Sequence, residues 1–192
     1  KFGFKDFLIA GGYKYTHIEK YFRNKKKSAK IRVFNTGLNS LTGKRLVKLK
    51  KELTSTFMLT YGDGISNVDL NKLLKFHKKN KKKITVTAVH PPSRFGELEI
   101  DKKHVLGFRE KPDAQKGWIN GGFFVVEPDF LKFIGSKNVM LEKSPIINAV
   151  KSRNLVAYKH NGLWYCIDTF QDKKHLDTII KKKKYNGLLN IK

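Results

Sequence analysis

The chain has one cysteine, Cys166. A lone thiol excludes an internal disulfide and fits a reducing compartment, so a cytoplasmic location is expected. No apolar run approaches the roughly 20 residues a membrane helix requires, and no membrane partner is expected. The opening KFGFKDFLIA lacks a cleavable apolar segment with a small-residue exit, so no signal peptide is read. Low-complexity linkers and internal repeats are absent as well. The six histidines show no metal-ligand spacing, and His77 reads as a core residue. Cys166 reads as a small buried hydrophobe rather than a nucleophile. Acidic residues are scarce: 16 Asp plus Glu stand against 41 Lys plus Arg, for a net charge of +25.

What is present is apolar and aromatic. Of 192 residues 40% are hydrophobic, with 14 Phe, 7 Tyr and 2 Trp. That composition excludes a disordered polymer and suits one domain with a core, spanning residues 1–192. The basic surplus is almost all lysine, in short runs such as Lys81–Lys83 and Lys181–Lys184. These runs fall at helix ends or in turns, where cations suit the helix dipole. A dedicated nucleic-acid face needs more than scattered lysines, so no specific nucleic acid is expected. The charge would still attract phosphorylated small molecules.

Apolar runs alternate with amphipathic stretches. Strands are expected at 4–10, 30–36, 56–61, 84–90 and 155–160, and in GELEI, HVLGF and GGFFVV. Helices are expected at Tyr15–Arg23, Lys44–Leu53, after an Asn67 cap, and at Gln171–Lys184. Pro128 and Pro145 sit where helices begin. The order βαβαβαβ, with strands crowding 84–126, implies an α/β fold: a mostly parallel sheet with an antiparallel insertion.

In such sheets ligands bind beyond the carboxyl ends of strands. The turn after TFMLTY holds Asp63 between Gly62 and Gly64. These glycines would let a ligand approach the backbone or would take positive φ. A carboxylate placed there can hold Mg²⁺; otherwise the tripeptide is only a turn. Asp168, in Trp164-Tyr165-Cys166-Ile167-Asp168-Thr169, is either a second acid of the site or a helix cap. In the loop 36–45, the hydroxyls of Ser40 and Thr42 with Arg45 would hold a nucleotide base or phosphate, unless it is an ordinary connection. Glu110 would accept sugar hydroxyls and Lys111 would neutralise a phosphate, while Asn120 and Gly121 would line a sugar pocket. The plain alternative is a surface ion pair and a loop.

Taken in order, Thr42-Gly43-Lys44-Arg45, Thr60-Tyr61-Gly62-Asp63-Gly64, Pro91-Pro92-Ser93-Arg94-Phe95-Gly96, Glu110-Lys111-Pro112, Asn120-Gly121-Gly122 and the segment 164–169 resemble the sugar-phosphate nucleotidyltransferases, and within them the glucose-1-phosphate cytidylyltransferases. The resemblance implies a Rossmann-like, three-layer (GT-A-like) domain with a mostly parallel mixed sheet. It implies nucleotidyl transfer from CTP to α-D-glucose 1-phosphate, giving CDP-glucose and pyrophosphate. By similarity, Asp63 and Asp168 would hold Mg²⁺. Ser40, Arg45 and Gly62 would meet the nucleotide, and Glu110 and Lys111 the sugar phosphate. A homo-oligomer is implied too. Transfer of dTTP or UTP remains open, as does a non-catalytic basic module that binds polyanions. The family's opening Gly-Gly-x-Gly-Thr-Arg loop is not present, and residue 1 is Lys. An N-terminally truncated chain, missing the first strand–loop–helix unit and impaired in turnover, is therefore expected.

Overall fold

Residue pattern and element type agree closely along the chain. The computed structural model describes residues 2–23, 28–91, 97–109 and 117–181. In order, the elements are β1 (Asp6–Gly11), α1 (Tyr15–Arg23), β2 (Lys30–Asn35), α2 (Thr42–Lys48), β3 (Phe57–Thr60) and β4 (Gly64–Ser66). There follow α3 (Leu70–Asn80), β5 (Ile84–Val89), β6 (Glu97–Asp101), β7 (His104–Arg109) and β8 (Ile119–Val126). A 3₁₀ turn (Pro128–Phe133), α4 (Ser144–Lys151), β9 (Leu155–Lys159), β10 (Trp164–Cys166) and α5 (Phe170–Lys181) complete the chain. The prolines that open the 3₁₀ turn and α4 sit in the first turn, where a missing N–H costs nothing.

β1 and β2 pair in parallel, from Asp6 opposite Lys30 to Gly11 opposite Asn35, and are joined through α1. A four-stranded sheet has the order β3-β8-β5-β9. Its directions follow from local bonds. The Ile84 amide donates to Asn154 and the His160 amide to Ala88, a near-constant offset that makes β5 and β9 parallel. The Glu127 amide donates to Lys83, and Gly121 lies against Thr87 and Val89, so β8 runs opposite to β5. Thr56 meets Glu127 while Tyr61 meets Gly122, so β8 opposes β3 as well. The sheet is mixed, with β8 the reversed strand, as the α/β expectation requires. The antiparallel insertion is the hairpin β6–β7, which pairs Leu98 with Phe108.

Two compact units emerge. One comprises Lys1–Met58, Leu70–Thr85 and Val125–Val156; the other comprises Leu59–Asp69, Val86–Phe124 and Ala157–Lys192. The first holds a dense apolar interior that includes Leu46, Leu73, Ile84, Val126, Phe130 and Leu141. His77 is buried there, as expected, with Nδ1 2.8 Å from Thr85 Oγ1 and Nε2 3.0 Å from Glu127 Oε1. The Thr56 hydroxyl donates to the same carboxylate at 2.8 Å. On the same unit's surface, Glu52 and then Asp6 accept hydrogen bonds from Arg32 and raise its pKa above the ordinary arginine value.

Two expectations need correction. Asn67 does not cap α3: the helix begins at Leu70, and Asn67 Oδ1 instead meets His160 Nε2 at 2.9 Å. The helix expected over Lys44–Leu53 is Thr42–Lys48, followed by turns. Leu49 leaves helical geometry there, yet Leu49 and Leu53 remain buried, because their spacing reports a face rather than a continuous helix.

Candidate active site

Asp63 and Asp168 lie 105 positions apart in sequence (168 − 63). A short antiparallel ladder joins them. In it β4 pairs with β10: Gly64 faces Cys166, Ile65 faces Tyr165 and Ser66 faces Trp164. The Ile167 amide donates to the Asp63 carbonyl at 3.0 Å, extending the ladder by one rung to the acids. At the other end the Ser66 hydroxyl and the Asn67 amide both donate to the Leu163 carbonyl. The turn carrying one acid is thereby tied to the segment carrying the other.

Asp168 is not the helix cap. That position belongs to Thr169, whose Oγ1 accepts the Asp172 amide at 3.1 Å. Asp172 Oδ2 in return accepts the amides of Thr169 (2.8 Å) and Asp168 (3.1 Å) and the Thr169 hydroxyl (2.8 Å). This is a capping box, with Asp172 in the third helical position. Thr169 and Asp172 do the capping, and the Asp168 side chain takes no part in it.

That carboxylate gathers with Asp63 and Cys166. One ligand atom from each lies within 4.8 Å of the others. Both aspartates are exposed and Cys166 is half-buried, with Sγ donating to Asp168 Oδ1 at 3.3 Å. The expectation of Cys166 as a small buried hydrophobe is therefore corrected: its sulfur sits among acids. Around an octahedral ion with bonds of about 2.1 Å, donor atoms stand roughly 3–4 Å apart. The donor set fits a divalent cation after small side-chain adjustments, and two carboxylates suit Mg²⁺ completed by substrate phosphate oxygens.

The acids open into a cleft of about 840 Å³, lined also by Tyr61, Asn120, Gly121, Trp164, Gln171 and His175. Its floor requires small residues. A Cβ on Gly121 would stand 2.9 Å from the Thr87 carbonyl and from a Val89 methyl, and Gly122 has φ +74°. Asn120 Oδ1 accepts the Gly122 amide at 2.9 Å, and the Trp164 indole donates to the Gly121 carbonyl at 2.7 Å. Asn120 and Gly121 thus line the cleft that holds both acids. Neither Gly62 nor Gly64 adopts positive φ. Gly62 faces open space, which leaves close approach as its remaining explanation.

Ser40, Thr42 and Arg45 belong to the other unit, where the loop is held by its own side chains. The Ser40 hydroxyl donates to the Thr36 carbonyl. Thr42 Oγ1 donates to Glu142 at 3.0 Å and accepts the Leu141 amide at 2.8 Å. Arg45 donates to Thr36 Oγ1 at 2.6 Å, and its guanidinium lies against Gly12 so closely that a Cβ there would displace it. Glu110 and Lys111 lie outside the described residues.

Residue reading alone did not single out Tyr61, Gln171 or His175. Tyr61 lies within a motif and Gln171 and His175 follow one, but nothing in spacing marks them as cleft-facing. Cys166 had a signal, since it stands two positions before Asp168.

The chain is similar to known proteins. The sequence matches the family described as nucleotidyl transferase over residues 2–174. A glucose-1-phosphate cytidylyltransferase of Salmonella typhi is 34% identical over 206 aligned positions, covering 95% of this chain and 80% of that protein. The crystal structure of HddC from Yersinia pseudotuberculosis superposes with a TM-score of 0.68 at 18% identity, covering 95% of this chain and 80% of that one. A UDP-glucose pyrophosphorylase complexed with UDP-glucose reaches 0.67 at 15% identity, covering 94% and 82%. These two structures bear on the fold alone. The family match covers both acids and the strands that carry them, and on that ground the chain belongs to the nucleotidyl transferase family and is a nucleotidyltransferase.

Proposed function

We propose that this protein transfers a cytidylyl group from CTP to α-D-glucose 1-phosphate, releasing pyrophosphate and CDP-glucose. The observation that carries the reading is the convergence of Asp63 and Asp168 in one cleft. The nucleotide and sugar follow the Salmonella typhi relative. A sugar phosphate oxygen attacks the α-phosphorus; the new P–O bond forms as the bond to the pyrophosphate oxygen breaks. No covalent enzyme intermediate is needed, so catalysis is positioning plus neutralisation of phosphate charge.

Asp63 and Asp168 would hold Mg²⁺, which supplies charge neutralisation to the phosphates when bound. Gly62 leaves room beside Asp63 for the nucleotide. Asn120 and Gly121 shape the sugar side of the cleft, the first by bracing the Gly122 amide, the second by its lack of a side chain. Glu110 and Lys111 would meet the glucose 1-phosphate. We assign the 36–45 loop to the nucleotide, with Ser40 and Thr42 shaping it and Arg45 supplying the cation.

The test is turnover by the protein expressed from its gene, offered CTP, UTP, dTTP, GTP or ATP in turn with glucose 1-phosphate. CDP-glucose should dominate and should vanish when EDTA removes the metal. Asp63→Asn and Asp168→Asn should each lower kcat by about 10³-fold, comparable to removing a transition-state charge partner. Unchanged turnover in either variant rejects the metal assignment. Preference for UTP or dTTP rejects the nucleotide assignment. Salt-sensitive RNA binding without nucleotide-sugar formation would replace the enzyme reading by a polyanion-binding one.

A further inference from the structure

We propose that Cys166 is a third donor to the divalent ion of the cleft, so that this site takes thiophilic cations such as Co²⁺ and Cd²⁺ more tightly than its two carboxylates alone would. The inference rests on the reading that Asp63 and Asp168 hold a metal.

Three observations support it. First, the Cys166 sulfur and one oxygen from each aspartate lie mutually within 4.8 Å, a spacing that one cation can close. Second, the thiol is held there by backbone pairing. Cys166 is the last residue of β10, paired with Gly64, and the next rung binds Ile167 to Asp63. Its sulfur and the Asp63 carboxylate are therefore carried by adjoining rungs of one ladder. Third, the side chain is half-buried and lines the same cleft as both acids, so an ion in the cleft meets it without any opening of the fold. A cysteine serving only to fill space would be enclosed by apolar neighbours, whereas this one donates to a carboxylate.

The chemistry then separates two classes of ion. Mg²⁺ prefers oxygen and gains little from sulfur, so Asp63, Asp168 and substrate phosphates account for its binding. Softer first-row and heavier divalent ions gain a strong ligand from a thiolate. Ligation replaces the S–H bond with a sulfur–metal bond; the proton leaves to solvent and no electron is transferred.

The test uses the full chain, kept reduced in a buffer free of chelating thiols and titrated with Co²⁺. A thiolate-to-cobalt charge-transfer band should rise in the near ultraviolet and saturate at one equivalent. Cys166→Ser should abolish it and weaken Cd²⁺ by about tenfold or more, a loss even a supporting group of a metal site can cause. The ratio of Mg²⁺ to Cd²⁺ affinity should rise accordingly. Co²⁺ binding that depends on Asp63 and Asp168 yet shows no sulfur band overturns the inference and leaves the metal reading intact. So does a Cys166→Ser protein with unchanged Cd²⁺ affinity. Absence of any Co²⁺, Cd²⁺ or Mg²⁺ binding that depends on Asp63 overturns both. The wild-type spectrum decides the matter even if the serine variant folds poorly.

Discussion

Two polar clusters, one in each unit, differ in their electrostatics. Around His77 donors and acceptors alternate: Thr85, the imidazole, the Glu127 carboxylate and the Thr56 hydroxyl satisfy one another, and the ring is 1% exposed. Around Asp63 two carboxylates converge with a thiol, and both acids are exposed. In the first cluster the buried imidazole and Thr85 are completed by the half-buried Glu127 and Thr56, and the burial of the ring is tolerable for that reason. The second brings like charges together where water and a ligand can reach them. A closed cluster stabilises a fold; exposed acids that converge in a cleft are open to a ligand.

The contrast can be broken from either side. The largest effect on stability should come from Phe130→Ala. Its ring is fully buried in the first unit, 5.7 Å from the Phe133 ring, and the cavity should cost about 3–5 kcal/mol in urea unfolding. Activity per folded molecule should hold; a collapse of kcat in protein that remains folded would show that the interior and the cleft are not separable. His77→Ala comes next. It leaves Glu127 and Thr85 short of a partner and should cost about 1–3 kcal/mol. A neutral result would mean that water replaces the imidazole.

The smallest effect sharpens the other side. Asp172→Ala removes the reciprocal cap of α5 and should cost about 1 kcal/mol. It also releases the Asp168 amide, so Mg²⁺ affinity should fall while Asp172→Asn, which keeps an acceptor oxygen, recovers part of it. Loss of helix stability with metal affinity unchanged would confine Asp172 to capping.

Much of the fold was legible because local rules dominated it. Tyr15–Arg23 reads as a helix from its amphipathic spacing, β-branched Ile84–Val89 as a strand, and Pro145 as a helix start. Caps were the least legible feature. Asn67 and Asp168 both look like caps, since Asn and Asp cap well wherever they precede a helix, and neither is one. Which side chain does the capping depends on the register with which the chain enters the helix, and a single residue decides that. Thr169 is that residue at α5.

The amino-acid order by itself carried the α/β pattern and the motifs in which the chain resembles the nucleotidyltransferases, because periodicity and short motifs act over a few residues and survive reading one segment at a time. It also placed Asp63 in a turn after a strand. Tertiary structure alone decided that Asp63, Cys166 and Asp168 meet, since pairing β4 with β10 is a contact between segments that no local spacing encodes. It likewise decided that the hydroxyls of Ser40 and Thr42 serve their own loop, because their partners Thr36, Leu141 and Glu142 are chosen by packing. Short-range preferences are additive along a chain; the position of a carboxylate in space is not.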